Sequence, residues 1–253
     1  MGRLSGRVAI VTGGSRGIGA SIARTFAREG ARVVIASRKL PGLQVVADAI
    51  NKTHPDSVVP IPCHMGHDEQ IEAFVAQVTD TVGVADILVN NAATNPYFGP
   101  MIDLEWAAWE KTFSVNLRGS FGLSRAVARV LMAGGRSGSI INMSSVYGTA
   151  AAPGQGIYGM TKAAMISMTR TLALEWGEAG IRVNAIAPGL VDTRFASAIV
   201  NNPELVRVFT ERSALGRYAE PDEIAGMALF LASEASSFVT GQTMVVDGGY
   251  TIS

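Results

Sequence analysis

Seven short runs of almost wholly apolar residues punctuate the chain, and longer stretches of mixed polarity separate most of them; this alternation leaves few folds open. The runs are residues 8–11, 32–36, 58–61, 87–90, 139–143, 182–186 and 244–246. They are of strand length and apolar on both alternating faces, as a parallel strand covered by helices on either side must be. Residues 18–28, 68–82, 106–132 and 161–178 read as helices between them. Strand–helix alternation predicts an α/β protein built on a doubly wound, predominantly seven-stranded parallel sheet. Nothing rich in Pro, Ser or charge divides residues 1–253, so a single domain is expected.

The 253 residues carry 21 Lys and Arg against 21 Asp and Glu, a formal net charge of zero. That balance offers no electrostatic footprint for nucleic acid or an anionic membrane surface. Cys63 is the single cysteine, which excludes an intrachain disulfide. No run reaches 18 apolar residues, and the N-terminal segment lacks the apolar stretch of a secretory signal. The expectation is a cytoplasmic protein whose partner is a small molecule, not a nucleic acid or a membrane.

Ligands of such sheets sit beyond the carboxyl ends of the strands, so the residues that follow each run matter most. The first run leads into Thr12-Gly13-Gly14-Ser15-Arg16-Gly17-Ile18-Gly19 and then directly into a helix. A dinucleotide pyrophosphate is held by backbone amides at a helix N-terminus, where side chains must be absent. Gly13, Gly17 and Gly19, with Ser15 and Ile18 among them, meet that need in a strand–turn–helix context. The same octet contains the G-x-S-x-G of a hydrolase nucleophile elbow. An elbow serine needs an acid and then a histidine further along the chain. No histidine follows His67, so the hydrolase reading fails.

Sites for NAD place an Asp or Glu about 20 residues beyond the glycine turn, on the ribose hydroxyls. Here the second run ends Ala36-Ser37-Arg38-Lys39, and no acid occurs between Glu29 and Asp48. Ser37 and Arg38 could hydrogen-bond a 2′-phosphate that a carboxylate would repel, and Arg16 could close from the other side. NADP is therefore favoured over NAD.

Tyr158 and Lys162 form a YxxxK pair, on one face of a helix at this spacing. Ser145 follows the fifth run, thirteen residues before Tyr158, and Asn116 lies within the long helical stretch. Taken together, the chain resembles the short-chain dehydrogenase/reductase family over essentially its whole length. The resemblance is carried by residues 12–19, Asn90-Asn91-Ala92-Ala93, Asn116, Ser145, Tyr158 with Lys162, and Pro188-Gly189. Residues 37–39 and 90–99 are similar to NADPH-dependent carbonyl reductases within it.

The resemblance implies a Rossmann-type fold and a hydride-transfer enzyme acting on a carbonyl or alcohol. It implies that Asn116, Ser145, Tyr158 and Lys162 are the catalytic set, with Asn116 holding a water in a proton relay and Lys162 also binding the nicotinamide ribose. Asn91 and Ala92 would lie near the adenosine ribose. Pro188, Gly189, Val191 and Thr193 would receive the nicotinamide carboxamide, and residues 190–216 would form a lid over the substrate. A homotetramer is implied as well.

The residue types suit this chemistry. A phenol of ordinary pKa, about 10, is too weak an acid to cycle easily near neutrality. A neighbouring Lys162 ammonium is expected to lower it, making Tyr158 the proton donor, while Ser145 would hold the substrate oxygen. Two positions depart from the family pattern. Where many relatives have an aspartate after the third strand, this chain has His64, which could still accept from an adenine amino group when neutral. Ala93 replaces a glycine. Cys63, His64 and His67 cluster in sequence, but adjacent side chains point apart and no second cluster exists, so no metal is expected.

Asn95, Tyr97, Val146, Tyr147, Gln155 and Phe195 are the candidate pocket residues, and their aromatics suit an apolar or aromatic ketone. The leading expectation is an NADPH-dependent reductase of ketones or aldehydes. Oxidation of a secondary alcohol or sugar by the same residues is the second, and a non-catalytic nucleotide sensor the third.

Overall fold

Alternate residues of each strand feed two separate cores, which is why the apolar runs show no polar face. The computed structural model describes residues 2–253. In chain order the elements are β1 (Val8–Thr12), α1 (Gly17–Arg28), β2 (Arg32–Ser37), α2 (Leu40–Asn51), β3 (Val58–Pro62), α3 (Asp68–Thr81) and β4 (Ile87–Asn90). There follow α4 (Trp106–Phe113), α5 (Gly119–Ala133), β5 (Gly138–Met143), α6 (Gly156–Trp176), β6 (Ile181–Pro188), α7 (Ser197–Val200), α8 (Pro203–Arg212), α9 (Pro221–Ala232) and β7 (Thr243–Val246).

The strands form one sheet in the order β3-β2-β1-β4-β5-β6-β7, with every neighbouring pair parallel. Val11, Val33, Ile35 and Ile141 pack with Ile22, Phe26 and Leu43 on one side of it, together with Ile224 and Leu229 of α9. Ile10, Val34, Leu88 and Val183 pack on the other, with Phe74 and Val78 of α3, Leu123 and Leu131 of α5, and Leu172 of α6. The expected doubly wound α/β domain is therefore what the chain forms, and its sheet is parallel throughout.

Two helical features differ from expectation. The stretch 106–132 is interrupted by a π-helical turn, Ser114–Arg118, between α4 and α5. The helical reading of 161–178 begins too late, because α6 starts at Gly156, ahead of Tyr158. Helices α2, α7, α8 and α9 are additional; α2, α8 and α9 each carry proline in the first turn, where the missing N–H costs nothing.

β1 and β4 lie side by side, but the chain runs from them to opposite halves of the sheet. A crevice opens where strand order reverses in this way. Register keeps its floor level: Thr12 is opposite Ala36, Asn90 opposite Asn142, and Met143 opposite Ile186. A fully buried polar chain supports the β4–β5 seam. The Asn90 amide donates to Ser124 Oγ and Asn142 Oδ1, both at 2.8 Å, and Asn142 donates to Thr169 Oγ1 at 2.9 Å.

Candidate active site

The crevice is a continuous cavity of about 810 Å³. Its first wall is the turn after β1. Gly13 has φ +67°, and a Cβ there would sit 2.7 Å from Asn91 Nδ2, so the turn needs glycine for conformation and for space. Helix α1 begins after an extended Arg16, with no side-chain cap and no acid in its first turn. Its leading amides therefore face the cavity without a protein anion to satisfy them. Gly13, Ser15, Arg16, Gly17 and Ile18 all line the cavity, as do Ser37 and Arg38 at the end of β2. Gly19 does not. A Cβ at Gly19 would lie 2.5 Å from the Gly13 carbonyl oxygen, so glycine there lets α1 pack closely under the turn.

Thr12, which the sequence reading assigned no role, joins β1 to β4. Its hydroxyl donates to the Val89 carbonyl at 3.2 Å and accepts from the Asn91 and Ala92 amides, each at 2.9 Å. Asn91 returns the link by donating to the Thr12 carbonyl at 2.8 Å. This fixes Asn91 and Ala92 on the cavity wall.

His64 also lines the wall, but its Nδ1 already accepts from the Gly66 amide at 3.0 Å. A neutral ring with Nδ1 so engaged carries its proton on Nε2 and offers a donor. The acceptor role expected toward an adenine amino group is thereby corrected. Partial burial, the adjacent His67, Arg38 and Lys111 all hold the His64 pKa below its ordinary value. Burial pushes the Cys63 thiol up to about 11, keeping it protonated. Among the described residues, no group of three or more His, Cys, Asp or Glu side chains is placed to hold a metal ion.

At the other end of the crevice β5 delivers Ser144 and Ser145. Ser144 donates to the Lys162 carbonyl at 2.9 Å, and Ser145 Oγ accepts from the Tyr147 amide at 3.2 Å. Ser145, Tyr158 and Lys162 share the cavity wall, with Lys162 Nζ 5.3 Å from the Tyr158 ring centre. Lys162 is buried and donates to the Met143 carbonyl at 2.6 Å. Burial pulls its pKa down to about 7. Burial raises the Tyr158 phenol, against a smaller opposing effect of its hydrogen bond with Ser145. The expected lowering of Tyr158 is thus reversed, because the desolvation that comes with burial outweighs the groups that would lower it.

Asn116 lies apart from this wall. It is fully buried in the π-helical turn, where Oδ1 accepts from the Thr94 amide at 2.8 Å. Its Nδ2 donates to the Thr94 carbonyl at 3.0 Å and to Thr161 Oγ1 at 3.1 Å. Asn116 therefore ties the loop after β4 to α6 next to Lys162.

Pro188, Gly189, Val191 and Thr193, which follow β6, line the cavity between its two ends. Of the candidate pocket residues, Asn95, Val146, Tyr147, Gln155 and Phe195 reach the wall. Tyr97 does not; its hydroxyl donates to the Pro100 carbonyl, and the next residue, Phe98, takes a place in the wall. Leu190, Ile199 and Phe209 join it, and the Phe195 ring lies 5.7 Å from that of Tyr158. The Asn95 amide donates to Gln155 Oε1 at 3.1 Å. Across the whole cavity, Arg16, Arg38, Lys39, Lys111, Lys162 and Arg194 contribute cations, and the wall contains no aspartate or glutamate.

A family model described as enoyl-(acyl carrier protein) reductase matches residues 13–251. Human (Homo sapiens) dehydrogenase/reductase SDR family member 4 is 38% identical over 248 residues, 97% of this chain and 88% of that protein. Galactitol 2-dehydrogenase (L-tagatose-forming) from Cereibacter sphaeroides is 38% identical over 252 residues, 99% of this chain and 97% of that one. The crystal structure of a gluconate 5-dehydrogenase from Burkholderia cenocepacia, in complex with NADP and tartrate, matches with a TM-score of 0.94 at 36% identity, covering 99% and 97% of the two chains. Sheet, crevice and relatives make this protein an oxidoreductase. It belongs to the short-chain dehydrogenase/reductase family, and the sensor reading is set aside with that assignment.

Proposed function

We propose that the enzyme reduces a ketone or aldehyde to an alcohol at the expense of NADPH. The observation that carries this reading is the cavity wall, with Ser145, Tyr158 and Lys162 at one end and cations without a carboxylate along the rest. A dinucleotide bearing a 2′-phosphate suits the glycine turn, the uncapped amides of α1 and the guanidinium groups of Arg16 and Arg38. Arg38 and Ser37 hold the 2′-phosphate, Arg16 closes over it, and Gly13, Ser15, Gly17 and Ile18 hold the pyrophosphate. Asn91 and Ala92 lie along the adenosine ribose, and His64 donates from Nε2 to the adenine edge. Val191 and Thr193, set by Pro188-Gly189, orient the carboxamide, and Lys162 holds the nicotinamide ribose. When bound, the cofactor supplies the hydride.

The protein supplies the proton and the geometry. Ser145 hydrogen-bonds the substrate oxygen, and Tyr158, whose burial keeps it protonated at neutral pH, gives its proton to that oxygen as charge develops. Lys162, when protonated, favours the phenolate left on Tyr158, which regains its proton from solvent, and Asn116 maintains the spacing between the β4 loop and α6. Residues 190–216 fold over the substrate end as a lid, which excludes water.

The oxidative direction is the second reading, favoured by the names of two relatives, galactitol 2-dehydrogenase and gluconate 5-dehydrogenase. The same residues would then work in reverse, with Tyr158 accepting the alcohol proton.

The test is absorbance at 340 nm, with NADPH and NADH offered separately against aryl ketones, diketones and aldehydes, then NADP⁺ and NAD⁺ against alcohols and sugars. NADPH-selective consumption that disappears in Tyr158→Phe, with nucleotide binding kept, is the expected result. Turnover of Tyr158→Phe at the wild-type rate overturns the proton-donor assignment. Turnover only with alcohols and oxidised cofactor transfers the assignment to the second reading.

A further inference from the structure

The segment proposed as the lid is held to the body by surprisingly little. Neither α7 nor α8 contributes a buried residue. What attaches α8 is a row of aromatic rings leading to the end of the chain. Phe209 meets Tyr147 edge-on, with centroids 6.4 Å apart, and stacks on Tyr250 at 5.4 Å with 24° between planes. The Arg212 guanidinium lies 4.8 Å over the other contact of this row, the Tyr250 ring.

The base of α8 is stitched to the same terminal segment. Ser213 Oγ donates to the Gly248 carbonyl at 2.9 Å, the Leu215 amide donates to it at 3.0 Å, and Ser253 Oγ donates to the Arg212 carbonyl. Asp247, directly after β7, fixes the turn that carries Tyr250: its carboxylate accepts from the Gly249 and Thr251 amides at 2.9 and 2.8 Å. The packing behind α8 is incomplete, for a void of about 90 Å³ lies between Phe209, Leu215, Tyr218 and Tyr250. The turn after β7, held by Asp247, is thus linked through Tyr250 and Phe209 to Tyr147, whose amide donates to Ser145 Oγ.

We propose that Tyr250 is the latch of the lid, a positioning residue that acts through Phe209 to hold α8 over the substrate end. The inference rests on reading residues 190–216 as a lid. It rests mainly on the ring, because the stack on Phe209 and the guanidinium over the ring are face contacts, whereas the hydroxyl receives only one long hydrogen bond, from Arg212 at 3.5 Å.

The experiment compares wild type with Tyr250→Ala, Tyr250→Phe and Phe209→Leu. Hydrogen–deuterium exchange is followed at residues 203–212, NADPH affinity is measured by its fluorescence, and KM and kcat are measured for a carbonyl that wild type reduces. For Tyr250→Ala we expect exchange in α8 to rise about tenfold and KM to rise by a similar factor, the loss of a stacked pair and a cation–π contact. NADPH affinity should stay within about twofold of wild type, which also shows that the variant is folded, and Tyr250→Phe should match wild type. Phe209→Leu, which keeps apolar bulk without a stacking ring, should resemble Tyr250→Ala and serves if that variant does not fold. Unchanged exchange in Tyr250→Ala, or equal effects of Ala and Phe, overturns the latch without touching the lid. Faster exchange with an unchanged KM leaves α8 anchored by Tyr250 but overturns both the lid reading and the positioning role built on it.

Discussion

Lys162 Nζ lies 2.6 Å from the carbonyl oxygen of Met143, so the buried ammonium is tethered to the last residue of β5, one residue before Ser144. The tether points the amine along the strand end and costs the fold, because a charge is held without an anion. Its pKa falls to about 7 in the folded protein from an ordinary 10.5. Between those values the unfolded chain binds a proton that the folded chain does not, so this group's contribution to stability rises with pH from about 7 to 10.5 and is lost again as pH falls to 7. Replacing Lys162 by Met should therefore give a melting temperature at or above wild type at pH 7, with the excess shrinking toward pH 10. Turnover should fall by about 100-fold or more. Thermal melts at four pH values check the first point, and an excess that grows with pH would contradict it.

Arg38 and Arg16 line the cavity, whose wall holds no acid, and are the residues proposed to read a 2′-phosphate. Losing one charge-assisted contact should weaken binding by about 1.5–3 kcal/mol, roughly 10- to 100-fold. Arg38→Ala should therefore raise the NADPH Kd by that factor and leave the NADH Kd within about threefold. Fluorescence titration with both nucleotides decides it. Equal losses would remove Arg38 as a phosphate ligand and move the test to Arg16.

His64 accepts from the Gly66 amide through Nδ1, and that bond exists only while the ring is neutral. Its pKa is lowered by desolvation first and then by His67, with Arg38 and Lys111 acting in the same direction. For a base depressed in the folded state, the stabilising effect is full above the unfolded value of about 6.5 and is lost as pH falls through the folded value. His64→Asn should flatten the fall in melting temperature between pH 7.5 and 5. A variant whose acid-side slope matches wild type would show that other groups set it.

The sequence made the sheet and most of the crevice legible because their signals are local. Strands covered on both faces read as apolar runs, and the glycine turn, Ser145, Tyr158 and Lys162 fall next to strand ends or at helical spacing. Long-range contacts left no such trace. Thr12 matters through amides some 80 positions away, and nothing in Tyr97-Phe98 indicates which ring turns inward. The direction of the Tyr158 shift is not legible for the same reason: adjacency of Lys162 is visible in sequence, whereas the burial that outweighs it is a property of the packed fold. The π-helical turn that carries Asn116 is equally invisible, since a single such turn inside a longer helical stretch is too short to stand out in the apolar pattern.

Asn116 provides the sharpest separation of positioning from contact. Its amide is the buried partner of the Thr94 amide, the Thr94 carbonyl and the Thr161 hydroxyl, and it does not line the cavity. Asn116→Ala leaves these groups to find other partners, at about 1–3 kcal/mol for each that fails. A chain of this size loses roughly 2–4 °C of melting temperature per kcal/mol, so a fall of about 2–12 °C is expected if one of these groups finds no new partner. The loop after β4 and the start of α6 would then lose their fixed spacing, and with it the alignment of Tyr158 and Lys162. Misalignment on that scale should lower kcat about 10- to 100-fold. The NADPH Kd should change little, because Gly13, Arg16 and Arg38 are held by other elements. Calorimetry, steady-state kinetics and nucleotide titration on one preparation separate the possibilities. A kcat loss without any fall in melting temperature would mean that Asn116 acts on the reaction directly, and a matched loss of NADPH affinity would mean that it shapes the whole crevice.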